Sequence, residues 1–298
     1  MHTIAFLNYM TGLLLAPLVN GVINRVKARF AGRSGPPVVQ PYYDLIKFLR
    51  KGAVYSGTTT WIFKASPPVS MAAALISLAL VPFGGTASLI AFTGDCIVLA
   101  YMLGLMRFFT IAAALDTGSS FEGMGASREA LFSALAEPAF LIGIAALAGE
   151  TGFFSLSLML GKVPTVSFEL LMVVVAFVIV YLCENARIPF DDPATHLELT
   201  MVHEVMALDH GGPDFGFIQY AASIKQWILG ALIVDILMPY NGGRWYVGII
   251  EGVAAMLMLA IIIGIIESTM ARLRLLRVPQ LLVAAGALST IALLLIMR

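Results

Sequence analysis

TVSFELLMVVVAFVIVYLCEN, residues 165–185, runs straight into ARIPFDDPATHLELTMVHEVMALDHGG, residues 186–212. The first segment is apolar over a length of about 20 residues, what a helix needs to cross the hydrocarbon core of a bilayer. The second, taken with Glu184, carries six acidic residues and three of the four histidines of a chain that otherwise avoids charge. A membrane span feeding a titratable loop is therefore the unit from which the fold is read. Composition agrees: of 298 residues 59% are hydrophobic and only 12% charged, with mean hydropathy +0.91. That is far outside the usual balance of a soluble domain. The net charge of zero argues against a nucleic-acid partner.

Eight stretches are long and apolar enough to span: 3–23, 66–86, 95–115, 131–149, 165–185, 216–238, 245–267 and 279–297. The first has no basic residue ahead of it and a basic cluster behind it, the reverse of a secretory signal, so it is expected to be retained. Thirteen lysines and arginines fall in the odd-numbered loops, against Lys162, Arg244 and Arg298 in the even loops and at the C-terminus. The positive-inside tendency then sets both termini outside and the 186–212 loop in the cytoplasm. The expected fold is all-α: one polytopic transmembrane domain over residues 1–298, about eight membrane helices, and cytoplasmic amphipathic helices.

One such helix is PYYDLIKFLRKG, 41–52. Tyr42, Leu45, Ile46 and Leu49 recur at helical spacing, with Asp44, Lys47 and Lys51 opposite and Pro41 at a first-turn position. It reads as a helix in the membrane interface, either a basic anchor on lipid headgroups or a docking surface for a partner. Cys96 and Cys183 lie far apart and read as buried thiols, not as a metal or cluster set.

In the charged loop, Asp192 and Pro193 suit an N-cap and first turn, which predicts a helix ending at Gly211 and Gly212. Its spacing puts His196, Thr200, His203, Ala207 and His210 on one face. Histidines seven apart are about 10 Å apart along the axis, too far to share a metal. Ala207 also stands where HExxH requires its second histidine. Glu198 points with Met201, Val202 and Val205, so it is a proton-exchanging carboxylate or is neutralised by a cation such as Arg187. Arg107, Glu137, Lys225 and Asp235 fall well inside predicted spans and are candidates for a polar axis, with Pro138 freeing a backbone carbonyl beside Glu137. Asp95, Asp116, Glu169 and Glu267 sit at span edges, where they can reach water. These features suggest ion movement.

ENARIPFDDPATHLELTMVHE, 184–204, resembles the acidic cytoplasmic loop of the complex I subunit 1 family, with its E-x-x-R-x-P-F-D core. PPVVQPYYDLIKFLRKG, 36–52, resembles that family's first-loop helix. The run PATHLELTMVHE is closer to the membrane subunits of formate hydrogenlyase and related energy-converting group 4 nickel-iron hydrogenases. This resemblance implies a noncatalytic connector in a prokaryotic cytoplasmic membrane. It would anchor a hydrophilic arm to antiporter-like membrane subunits, among membrane lipids, and couple hydrogen evolution to proton or sodium translocation. The arm's large, small and iron-sulfur subunits would hold the nickel-iron centre and the iron-sulfur clusters, with no cofactor in this chain. Relay and coupling roles would fall to Glu184, Asp191, Asp192, His196, Glu198, His203, Glu204, Glu137, Arg107, Lys225 and Asp235. Gln40, Pro41, Asp44, Lys47, Arg187, Pro189, Phe190 and Pro193 would form the docking and structural motifs. His196 makes the loop's charge adjustable near neutral pH. Three readings compete: a complex I type subunit contributing to a quinone site, a passive membrane anchor, and a stand-alone carrier. The lack of an internal inverted repeat counts against the last.

Overall fold

A computed structural model describes residues 2–163, 167–191, 202–238 and 244–298. Its helices are α1 (His2–Phe30), α2 (Gln40–Leu49), α3 (Trp61–Leu80), α4 (Asp95–Asp116), α5 (Ser120–Thr151), α6 (Leu156–Gly161), α7 (Phe168–Glu184), α8 (Gly212–Leu237), α9 (Trp245–Thr269) and α10 (Val278–Ile296). Among the described residues there are no strands, only an isolated bridge between Phe83 and Thr86.

Seven helices have the length and hydropathy of membrane spans: all of these except α2, α6 and α7. The eighth expected span is α7, an apolar helix of 17 residues. At 1.5 Å per residue it covers about 25 Å, close to the hydrocarbon thickness, and its neighbours bury most of its length. It and α8 form the centre. Around them α3 packs on α4 and α8, α10 on α5 and α7, and α1 on α8 and α9. The core is filled by side chains such as Trp227, Tyr181, Leu147 and Leu170, and Cys96 and Cys183 are free and buried as expected.

Several boundaries differ from the sequence reading, each for a local reason. Helix α3 starts five residues early, because Thr60 caps it by accepting from Ile62 N at 3.3 Å. It stops at Leu80, since Pro82 pushes Val81 into extended backbone (φ −91°, ψ 122°). Helix α5 extends the predicted 131–149 span back to Ser120, carrying Glu122 and Glu129 into the helix.

The helix predicted to run from Asp192 to Gly211 is not found over its described part. Residues 202–211 form turns with a 3₁₀ turn at Val205–Ala207. Tertiary bonds replace the helical ladder there: Val202 N donates to Asp191 at 2.8 Å and Asp209 N to Glu122 at 3.1 Å. Nor does Gly212 end a helix; it begins α8. Its φ of +55° suits glycine, and a Cβ there would lie 2.5 Å from the Gly52 carbonyl oxygen.

Helix α2 turns a mixed polar and apolar side toward the rest of the chain. Pro41, Asp44, Leu45 and Phe48 turn toward the protein, while Tyr43, Ile46, Lys47 and Leu49 are exposed. Asp44 faces inward because what it faces is a polar cavity, not an apolar core.

Candidate functional site

A chamber of about 550 Å³ opens among α1, α2, the end of α7, residues 203–204 and the first half of α8. Its apolar wall is Pro41, Leu45, Phe48 and Phe215. Apart from Ala186 and Ala222, the rest is polar or charged, including Asn20, Lys27, Asp44, Glu184, Arg187, His203, Glu204, Lys225 and Gln226. Buried charge on this scale needs pairing, and two hubs provide it.

The first hub is Arg107 on α4. Its Nη2 lies 2.6 Å from Glu184 Oε1, its Nη1 3.3 Å from Glu137 Oε2 and its Nε 3.8 Å from Glu129 Oε1. Lys225 Nζ approaches the other oxygen of Glu184 at 3.6 Å, and His203 Nε2 approaches Glu129 Oε1 at the same distance. Four elements converge: α4, α5, the C-terminus of α7 and the middle of α8. The fork of a guanidinium suits this, since its five donors can serve several carboxylates in fixed directions. Glu184 lines both the chamber and a small cavity of about 20 Å³ reaching Glu137. His203 lines both the chamber and a cavity of about 120 Å³ reaching Arg107 and Glu129. Polar contact is thus continuous from the chamber to Glu137.

The second hub is Arg187, just after α7. It donates to Glu267 at 3.3 Å, to Gln226 at 3.2 Å and to Asn20. Glu267 also takes Lys27 at 2.8 Å, and Gln226 donates to the Tyr181 hydroxyl at 2.9 Å. Asp191 pairs with Arg272 at 2.9 Å, while Leu273 N donates to the Pro189 carbonyl at 3.0 Å. Phe190 is buried in the main core between these bonds. The motif 187–191 therefore ties α7 to α1, α8 and the segment after α9.

At the rim, the His210 ring stacks on Phe63 with centroids 3.8 Å apart and planes 6° from parallel. Burial pulls this imidazole down to about 4, against the opposing pull of Asp214 and Asp209. Tyr55 donates to Asp214, which raises the phenol above its ordinary range. Together with Gly52 against Gly212, these contacts fasten residues 52–63 to the start of α8.

Of the residues singled out in the sequence, Arg107, Glu137, Glu184, Lys225 and His203 come together, with Glu204 on the chamber wall. Gln40 donates to Asp44 at 2.9 Å on α2, beside the chamber. Asp235 does not join them: it lies ten residues past Lys225 on α8, about 15 Å along the axis, and accepts from Gly84 N at 3.1 Å. His203 and His210 share no helical face, because the segment carrying them is not an α-helix. Asp192, Pro193, His196 and Glu198 lie outside the described residues. Three span-edge acids do not simply reach water. Glu267 is fully buried between Lys27 and Arg187, Asp95 is buried against Ser155 and Leu156 N, and Asp116 accepts from Thr60 N and Oγ1. Sequence reasoning also missed Glu129. Its signal was present, since Glu122, Glu129 and Glu137 recur along one stripe once α5 is extended to Ser120. Among the described residues no three His, Cys, Asp or Glu side chains converge as a metal site.

The chain has recognisable relatives. The family model described as NADH dehydrogenase matches residues 2–298. Formate hydrogenlyase subunit 4 of Escherichia coli (strain K12) is 30% identical, over 90% of this chain and 89% of its own. Hydrogenase-4 component C of the same organism is 27% identical, over 94% and 91%. An NADH-quinone oxidoreductase subunit of Syntrophotalea carbinolica (strain DSM 2380 / NBRC 103641 / GraBd1) is 24% identical, over 89% and 84%. A chain in the structure of the membrane-bound sulfane sulfur reductase, an archaeal respiratory membrane complex, shares the fold: TM-score 0.82, 20% identity, 99% of this chain and 98% of that one.

Proposed function

We propose for this chain, which belongs to the NADH dehydrogenase family, the role of membrane connector in a hydrogenase of the formate hydrogenlyase kind. It is a multi-pass membrane protein whose relatives are subunits of multisubunit oxidoreductase complexes. In this reading it holds a hydrophilic arm, where the nickel-iron and iron-sulfur groups reside, against antiporter-like membrane subunits in a prokaryotic cytoplasmic membrane. It carries no reaction itself, and it couples the arm's electron transfer to ion movement.

The observation that carries the reading is Glu184. One of its oxygens meets Arg107 and the other Lys225, and it borders both the chamber and the cavity toward Glu137. Three carboxylates, Glu129, Glu137 and Glu184, share two cations, Arg107 and Lys225. A guanidinium stays protonated in proteins, so it orders the acids and passes no proton itself. In this reading, charge arriving at the chamber acts on the cluster through Glu184 and His203, which border the chamber, and is passed along it toward Glu137.

Purification of a tagged chain in mild detergent, with mass spectrometry of its partners and a hydrogen-evolution assay on the same sample, tests this. Nickel-iron and iron-sulfur subunits with activity are expected. A quinone-reducing arm, or the chain alone under conditions that preserve membrane assemblies, would overturn it.

A further inference from the structure

Residues 202–209 form turns, yet they lie along one face of α5. Glu122, Gly125, Ala126 and Glu129 recur at i, i+3, i+4 and i+7 and so share that face. The segment crosses it in the opposite direction, from His203 at Glu129 to Asp209 at Glu122. His203 Nε2 lies 3.6 Å from Glu129 Oε1, and Asp209 N donates to Glu122 Oε1 at 3.1 Å. Between them Gly125 lets the backbones close: a Cβ there would lie 2.7 Å from Val205 Cγ1 and 2.9 Å from the Val202 carbonyl oxygen. Ala126 packs with Met206, Ala114 and Ile111 in an apolar cluster separate from the main core.

Glu129 belongs to the charge cluster, but Glu122 does not. It is fully buried, and among the described residues no lysine, arginine or histidine pairs with it. Burying a carboxyl group in that way is costly unless it is hydrogen-bonded, and what the segment offers it is the Asp209 N–H. Gly125 is likewise a poor choice for the interior of a helix, and the space it leaves is taken by Val202 and Val205. Two residues unfavourable to α5 alone are thus both accommodated by one placement of 202–209. We propose that Glu122 and Gly125 are positioning residues, which fix where this segment lies on α5 and thereby hold His203 between the chamber and Glu129. His203, Glu204, Met206 and Ala207 wall the cavity that reaches Arg107, and the first two also line the chamber. The placement therefore supplies a contact between chamber and cluster separate from Glu184. Its consequence for coupling rests on the connector reading; the placement itself does not.

His203→Cys with Glu129→Cys, joined by a short bifunctional thiol reagent in the full tagged chain in membranes, reads the placement; both native cysteines are buried. Asn20→Cys with Ser223→Cys, whose native side chains meet at 3.2 Å between α1 and α8, reports the rest of the fold. Glu122→Gln keeps a carbonyl acceptor for Asp209 N and should keep the adduct between positions 203 and 129. Glu122→Leu has no acceptor, and Gly125→Ala sets a Cβ against Val202 and Val205. Each should lose most of that adduct while the one between positions 20 and 223 is unchanged. Should Glu122→Leu lose both adducts through misfolding, the smaller change Gly125→Ala decides. Full retention of the 203–129 adduct in Gly125→Ala, or its loss in Glu122→Gln, would overturn the proposal. In the complex without added cysteines, Glu122→Leu and Gly125→Ala should lower the ions translocated per hydrogen evolved, and Glu122→Gln should restore the ratio. An unchanged ratio with the adduct lost would overturn the positioning role. A parent complex that translocates no ions refutes the coupling reading instead, and the adducts alone then decide the placement.

Discussion

At the scale of single residues, the polar interior depends on Arg107 more than on any one acid. Removing a cation from a buried pair leaves uncompensated charge and costs about 3–5 kcal/mol. Arg107→Met should therefore cut the yield of folded chain in membranes sharply, whereas Arg107→Lys keeps the charge but loses the fork and should fall between. Measuring membrane-inserted, protease-resistant chain would check the order, and equal yields for all three would show that the cluster does not hold the fold.

His210 makes a pH-dependent contribution of known sign. Its folded-state value is pulled down to about 4 by burial, while an unfolded histidine titrates near 6.5. The docked rim is therefore at full strength above pH 6.5, weakens as pH falls from there, and has lost this contribution below about 4. Hydrogen exchange of the amides at 202–210 should rise over that window and not above it. His210→Phe keeps the stacking on Phe63 and should remove the dependence; an unchanged profile would place the titration elsewhere.

The acids show unevenly what sequence reveals about a site. Arg107, Glu137 and Lys225 announced themselves because a charge inside an apolar run has few explanations. Glu129 and Glu267 did not, since each lay where a predicted span met a loop, and their burial depends on helices distant in sequence. Asp235 looked equivalent to Lys225 along α8, yet the axis carries it about 15 Å away.

At the scale of elements, apolar length found the seven membrane spans of the described residues and the shorter α7, because length against bilayer thickness is a one-dimensional property. Capping signals did less well. Asp192, Pro193 and the two glycines spelled a helix, but over 202–211 bonds to Asp191 and Glu122 win instead. Local preference is a weak guide where tertiary donors compete. The amphipathic pattern of α2 was legible and its facing was not, since the helix borders a polar chamber.

The start of α8 is a joint between elements, and it gives a prediction at that scale. Gly212→Ala would set a Cβ 2.5 Å from the Gly52 carbonyl oxygen on a backbone with φ +55°. The cost should be about 1–3 kcal/mol, and it should appear as faster proteolysis of the 52–63 segment with α7 and α9 unaffected. Resistance equal to the parent chain would mean that the segment is fastened elsewhere.

At the scale of the whole molecule, seven spans and the short α7 enclose a line of charge that no soluble fold would need. It begins in a chamber walled by the first-loop helix and the end of α7, passes Glu184 and Arg107, and emerges at Glu137 on the flank of α5. In the connector role proposed above, charge would enter this line at its chamber end. The central claim is that charge entering at the chamber moves ions along this line. Ions translocated per hydrogen evolved, measured with the intact complex in sealed vesicles, test it most directly when wild type is compared with Glu184→Gln. The account predicts a large loss of translocation with hydrogen evolution largely kept; an unchanged ratio, or equal losses of both in a fully assembled complex, would contradict it.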